Sequence, residues 1–114
     1  MTTEWRIGRS KRIDCFFSER YSEHVTLSDL AEALHLSKTQ TNRILHAEFG
    51  VSFREKLRQT RLQEAKFLLC ETDAAIDIIA CKVGYESVSG FFSAFRAAFG
   101  MTPEQMRKNR RGQT

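Results

Sequence analysis

The sequence predicts an all-α fold of about seven helices, arranged as two small subdomains, each a helix, a tight turn and a helix, joined by one long linker helix. Three observations predict it. Strong helix formers are plentiful, while the 114 residues hold only one proline and six glycines, few for an all-β chain of many turns. Capping residues and glycines mark starts and stops at helical intervals, since a capping oxygen satisfies orphan N–H groups and glycine permits the left-handed turn. Two stretches offset by 49 residues carry the same apolar pattern.

The elements follow in order. After a basic start, residues 7 to 21 carry Ile13, Phe16, Phe17 and Tyr21 between charges and predict a first helix, which with the start forms a segment over 1–24. Thr26-Leu-Ser-Asp29 is a capping box, and Leu27, Leu30, Ala31 and Leu34 repeat on one face of a helix over about 27 to 34. Ser37-x-x-Gln40 opens a second helix that runs to about Glu48 and closes at Gly50, completing a unit over 25–52. Ser52-x-x-Glu55 opens the linker helix of 53–71, uninterrupted by glycine or proline before Thr72. Its roughly 18 residues span about 27 Å. In the second unit, 72–114, Asp73 is expected to cap a helix from Ala74 to Lys82, ended by Gly84. Ser87 caps the next, to about Phe99 before Gly100, and Thr102-Pro103-x-Gln105 starts the last with proline at N1.

The repeat is specific. Leu27, Leu30, Ala31 and Leu34 fall on Ile76, Ile79, Ala80 and Val83; with one extra residue in the turn, Phe49-Gly50 falls on Phe99-Gly100. Two copies are too few for a solenoid, so a two-lobed bundle is expected.

At 13.2 kDa the chain excludes a large multi-domain catalyst. No apolar run approaches the ~20 residues of a membrane helix, and the basic start lacks an apolar signal core, so the expected location is cytoplasmic. Cys15, Cys70 and Cys81, an odd count without a C-x-x-C pair, read as reduced core fillers, with a redox switch as the alternative. His24, His35 and His46 sit on a cap, a turn and a helix, not at the i, i+4 spacing of metal-binding helices, so no metal site is expected. No Gly-rich phosphate loop, nucleophile elbow or carboxylate cluster occurs, and neither catalytic residues nor a cofactor are expected.

The formal charge of +4 comes from 18 basic and 14 acidic residues, and the two ends supply it. More informative is the stretch from Ser37 to Lys66, where Lys38, Arg43, Arg54, Lys56, Arg58, Arg61 and Lys66 face Glu48, Glu55 and Glu64. On a helical wheel for Lys38 to Glu48, Thr41, Ile44 and Leu45 turn inward. Opposite them Thr39, Asn42, Arg43 and His46 form a stripe without a carboxylate. An ordinary solvated face mixes both signs; an acid-free one suits phosphates and base edges. Arginine reads guanine, asparagine or glutamine reads adenine, and methyl-bearing groups meet thymine in the major groove, roles open to Arg43, Asn42 and Gln40, and Thr39. Lys38, His46 and the helix N-terminus suit phosphate. In the second copy Phe91, Phe95 and Phe99 with Ala94 and Ala98 point inward as core. Ser89, Ser93 and Arg96 point outward with Phe92 at the margin, so this helix, with Ser87 and Arg96 on phosphates, is expected mainly to anchor.

From about Leu27 to Arg107 the chain resembles the DNA-binding domain of AraC/XylS-type bacterial transcription regulators, which carry two helix-turn-helix units joined by a long helix. The resemblance rests on Leu30-Ala31-Glu-Ala-Leu34-His-Leu36-Ser37 with Arg43 and Phe49-Gly50-Val-Ser-Phe53, and on Arg61-Leu-Gln-Glu-Ala65-Lys-Phe-Leu68-Leu69. It rests most on Ile79-Ala80-Cys-Lys-Val83-Gly84-Tyr85-Glu-Ser87 followed by Phe91, Phe95-Arg96, Phe99-Gly100-Met-Thr102-Pro103 and Arg107. It implies base reading by Thr39, Asn42 and Arg43 and, in the second unit, by Val88, Ser89, Phe92 and Ser93, of which Ser89 and Ser93 are the expected readers because periodicity sets Val88 and Phe92 at the margin. The chain departs from the family at Ser93 and Ala97, where polar or basic and basic residues are usual, and at Thr41, usually leucine. Arg61 shares a face with Leu57, Ala65 and Leu68 and is expected to be structural.

The function these features imply is sequence-specific binding of double-stranded DNA by a transcription regulator, with helices near 38–48 and 88–99 in the major groove. The alternative is a helical protein-interaction module that docks on RNA polymerase or a sensor domain without binding DNA. RNA polymerase, and a sensor domain if the chain is a fragment, are the further partners considered.

Overall fold

A computed structural model of the chain describes residues 2–112, with side chains for 8–110. Part of the charge that the two ends supply, at Glu4, Arg6 and Arg111, lies outside the described side chains. The helices are α1 (Thr2–Arg20), α2 (Leu27–Leu34), α3 (Lys38–Phe49), α4 (Phe53–Glu71), α5 (Ile76–Lys82), α6 (Val88–Phe99) and α7 (Pro103–Gly112), with no strand among the described residues. No helix is long and apolar enough to cross a membrane among them. The chain divides into two units, Met1–Thr60 and Arg61–Thr114, so α4 gives its first part to one and its remainder to the other.

In the first unit, α1 contributes Ile13, Phe16 and Phe17, α2 Leu30 and Leu34, α3 Leu45, and α4 Phe53 and Leu57 to one buried cluster. The Phe17 and Phe53 rings lie 5.1 Å apart, and Phe16 meets Phe17 edge-on at 5.5 Å. Each such ring contributes roughly 1.5–3 kcal/mol by burial. The capping chemistry is realised: Thr26 Oγ1 accepts from Asp29 N while Asp29 Oδ2 accepts from Thr26 N. Helix α1 begins earlier than expected, at Thr2, and runs through Gly8. One exposed glycine costs a helix only about 1 kcal/mol and does not stop it.

In the second unit, Leu62, Ala65 and Leu69 of α4 are buried, as are Ile79, Ala80, Val83, Phe91, Phe95, Pro103 and Met106. Helix α7 starts as the sequence predicts, with Thr102 Oγ1 accepting from Gln105 N and Gln105 Oε1 accepting from Thr102 N. Helix α5 does not. It begins at Ile76 behind Ala75, which has no side-chain cap bond, rather than at Ala74 behind Asp73. The cause is a contact from α7: Arg107 donates to the carbonyls of Leu69 (3.0 Å), Thr72 (3.2 Å) and Ala74 (2.7 Å), while Thr72 Oγ1 accepts from Ala74 N. These bonds satisfy the end of α4 and hold the connection out of helical register.

Two further expectations fail. Cys15 and Cys81 are exposed and Cys70 half-buried, so these thiols are not core fillers. In the inward stripe of α6, Phe91 and Phe95 are buried, Ala94 and Phe99 are half-buried with the Phe99 ring 4.6 Å from that of Phe95, and only Ala98 is exposed.

Candidate nucleic-acid interface

Helix α3 is fixed at both ends. Ser37 Oγ accepts from Gln40 N at 3.1 Å, Gln40 Oε1 accepts from Ser37 N at 3.2 Å, and Gly50 closes the helix with φ +69° and an N–H to His46 O. Its inner face is Leu45 and Thr41, both fully buried. Thr41 pays no orphan-hydroxyl penalty, because its Oγ1 donates to Ser37 O at 2.8 Å. That back-bond explains how threonine can occupy an apolar site.

With the inner face fixed, Lys38, Thr39, Gln40, Asn42, Arg43 and His46 are all exposed. Thr39, Asn42, Arg43 and His46 keep the spacing that places them on one side of the helix. Gln40 has a second occupation, since its carboxamide oxygen is folded back onto the N-cap.

This side is acid-free by spacing alone; what sequence reading missed is how the opposite side of the helix is held. The single carboxylate of α3, Glu48, is drawn onto α1: Arg9 Nη2 and Nε donate to Oε1 at 2.6 and 3.1 Å, and Ser10 Oγ donates to Oε2 at 2.6 Å. The clamp cancels the negative charge and pins the last turn of α3. Its only sequence signal is a basic-Ser pair on a preceding helix.

The basic stretch is smaller than its composition suggests. Lys56 Nζ pairs with Asp14 Oδ1 at 3.1 Å and sits 4.2 Å from the Phe49 ring centre, and Arg58 pairs with Glu55 at 2.7 Å. Lys38, Arg43 and Arg54 remain exposed. In the second unit Lys66 lies over the Phe99 ring at 5.5 Å.

Arg61 is half-buried with its guanidinium 5.8 Å from the Tyr85 ring centre. Burial lowers its pKa from the ordinary value, and Tyr85 opposes that shift.

Helix α6 repeats the plan. Ser87 Oγ accepts from Gly90 N at 3.0 Å, and Gly100 ends the helix at φ +74° with an N–H to Arg96 O. Ser87, Val88, Ser89, Ser93 and Arg96 are exposed and Phe92 is half-buried. The Ser87 hydroxyl spends an acceptor on the cap and keeps its proton for donation.

Two units, each a short helix, a tight turn and a second helix with an acid-free outer side, define a double helix-turn-helix protein. The family model described as a helix-turn-helix domain matches residues 30–109. The melibiose operon regulatory protein of Escherichia coli (strain K12) is 32% identical over 93 residues, 82% of this chain and 31% of that protein. The C-terminal domain of AraT, a response regulator from Geobacillus stearothermophilus, is 33% identical with a TM-score of 0.82 over 90% of this chain and 85% of that one. A transcriptional regulator described as containing an AraC-type DNA-binding domain, from Chromobacterium violaceum, shares the fold with a TM-score of 0.85 at 24% identity, over 90% and 92% of the two chains. The chain belongs to the AraC/XylS-type helix-turn-helix family. It spans about a third of the length of the melibiose regulator.

Proposed function

We propose that the chain is a sequence-specific double-stranded DNA-binding domain of a bacterial transcription regulator. The observation that carries this reading is the outer side of α3: exposed Thr39, Asn42, Arg43 and His46, with the helix's one carboxylate withdrawn onto Arg9 and Ser10. Arg43 offers two parallel donors to guanine O6 and N7, Asn42 a donor and acceptor to adenine, and Thr39 a methyl to thymine. Lys38, His46 and the free first-turn amides of α3 face the phosphates. Gln40 reads bases only by giving up its bond to the N-cap. In the second unit Ser87 and Arg96 hold phosphate, and Ser89 and Ser93 face the groove. Arg61 is structural, filling the space against Tyr85 rather than meeting DNA.

Such a domain works in the cytoplasm and needs no catalytic chemistry or cofactor. RNA polymerase, and a sensor domain if the chain is a fragment, are further partners of this reading. The test is a mobility shift on pooled random duplexes, with selection and sequencing of the bound fraction. Enrichment of one motif is the expected result. Retention of no duplex at low salt would overturn the reading in favour of a protein-interaction module.

A further inference from the structure

We infer that the second unit reads thymine, through the C5-methyl group, with Val88 of α6 as the specificity-determining side chain and Phe92 beside it. The inference deepens the proposed function and rests on it. Its starting point is an exposed apolar residue without a folding role. Val88 is 40% exposed, one of only three large hydrophobics so exposed among the described residues. It stands in the first turn of α6, directly after the Ser87 cap.

The internal repeat says which surface that is. In the second helix of each copy the offset is 50: Ser37 and Ser87 are both N-caps, Gly50 and Gly100 both left-handed C-caps, and Leu45 and Phe95 both buried. In that register Val88 takes the place of Lys38, Ser89 of Thr39, Phe92 of Asn42, Ser93 of Arg43 and Arg96 of His46. The outer side of α6 is therefore the counterpart of the DNA-facing side of α3. It carries no carboxylate and keeps a cation, Arg96, in its last turn. Apart from Arg96 in the last turn, assigned above to phosphate, no side chain there can make a bidentate bond to guanine or adenine.

A surface of methyls and one aromatic edge can still discriminate. Thymine alone among the four bases presents a methyl group in the major groove, and apolar side chains are its partners. Gly90 adds room for approach. It is exposed in the first turn at the place of Gln40, so no side chain projects there, and a Cβ at this position would stand only 3.0 Å from Ser87 Oγ.

The experiment replaces single thymines by deoxyuridine, which removes the methyl and leaves Watson–Crick pairing intact. Duplexes selected by the wild-type chain are scanned one thymine at a time, and affinities are compared for wild type, Val88→Ala and Arg43→Ala. We expect at least one thymine at which deoxyuridine weakens wild-type binding roughly fourfold, the factor that corresponds to burial of one methyl group. At that position Val88→Ala should bind both duplexes equally, while Arg43→Ala should keep the fourfold ratio. Thymines read by Thr39 keep their sensitivity in Val88→Ala, which separates the two units. Tight wild-type binding with no sensitive thymine, or with every sensitivity retained in Val88→Ala, overturns this inference and leaves the DNA-binding proposal standing. Absence of any duplex binding overturns both. Position 88 is exposed, so folding of the variant is not at stake; its circular dichroism should match wild type.

Discussion

Removing Arg9 tests the reasoning that joins fold to function in the first unit. The Glu48 carboxylate accepts from Arg9 at 2.6 and 3.1 Å and from Ser10 at 2.6 Å, and the two side chains of the ion pair are only 16% and 12% exposed. An exposed pair contributes about 0–1 kcal/mol, whereas loss of one partner from a fully buried pair costs about 3–5 kcal/mol. At this degree of shielding Arg9→Ala should cost roughly 2–3 kcal/mol, because it strands a carboxylate that keeps only the Ser10 hydroxyl of these donors. Urea denaturation followed by circular dichroism measures the loss, and amide exchange should place it in α3 and α1 while α6 and α7 stay protected. In a double-mutant cycle with Glu48→Gln, the two substitutions should be far from additive, with a coupling of about 2 kcal/mol. A loss below about 0.5 kcal/mol, or simple additivity, would refute the claim that this clamp pins the last turn of α3.

Three other outcomes follow from the same geometry. Arg43→Ala should weaken binding to the selected duplex by roughly 1–3 kcal/mol and relax base preference at one position, whereas Arg96→Ala should weaken all sequences alike; competition with scrambled DNA separates them, and equal losses for Arg43→Ala on both duplexes would contradict base reading. Log affinity should fall linearly with log salt by about 0.9 per phosphate neutralised, and a flat titration would rule out the phosphate contacts. His35, at φ +59°, is the only non-glycine residue with a positive φ in the described backbone, so His35→Gly should raise stability by about 0.5–1 kcal/mol in thermal denaturation. A lower midpoint would mean that the imidazole contributes more than the left-handed backbone costs.

Helix starts were legible because their chemistry is local. Thr26 with Asp29, Ser37 with Gln40, and Thr102 with Gln105 each make their bonds within four residues, as the letters foretell. The outer side of α3 was legible for the same reason, since its spacing is a property of one helix. What the letters hide is action at a distance. The start of α5 is decided by Arg107, 33 residues beyond Ala74, and the charge of Glu48 is cancelled by Arg9, 39 residues before it. Lys56 counts toward a basic stretch by position, yet Asp14 and the Phe49 ring claim it. The cysteines mislead because small apolar character is a statistical reason for burial, and here α1 and α5 place Cys15 and Cys81 outward.

The duplication separates residues that answer to the fold from residues that do not. In the first helix of each copy, Leu30, Ala31 and Leu34 are buried, as are Ile79, Ala80 and Val83, and the same turn bond recurs from Leu36 N to Ala31 O and from Tyr85 N to Ala80 O, at 2.9 and 3.0 Å. Inside, even different side chains reach the same result. Thr41 occupies its buried site by bonding its hydroxyl to its own helix, whereas Phe91 fills the matching site with a ring packed 5.6 Å from Phe95. Along the outer stripe the copies diverge, Thr39 against Ser89, Asn42 against Phe92, Arg43 against Ser93 and His46 against Arg96. Folding cannot account for that divergence, since these side chains, Phe92 excepted, are exposed in both copies. A duplex can account for it, because its groove presents different bases to each helix while its phosphates demand the same absence of acid from both.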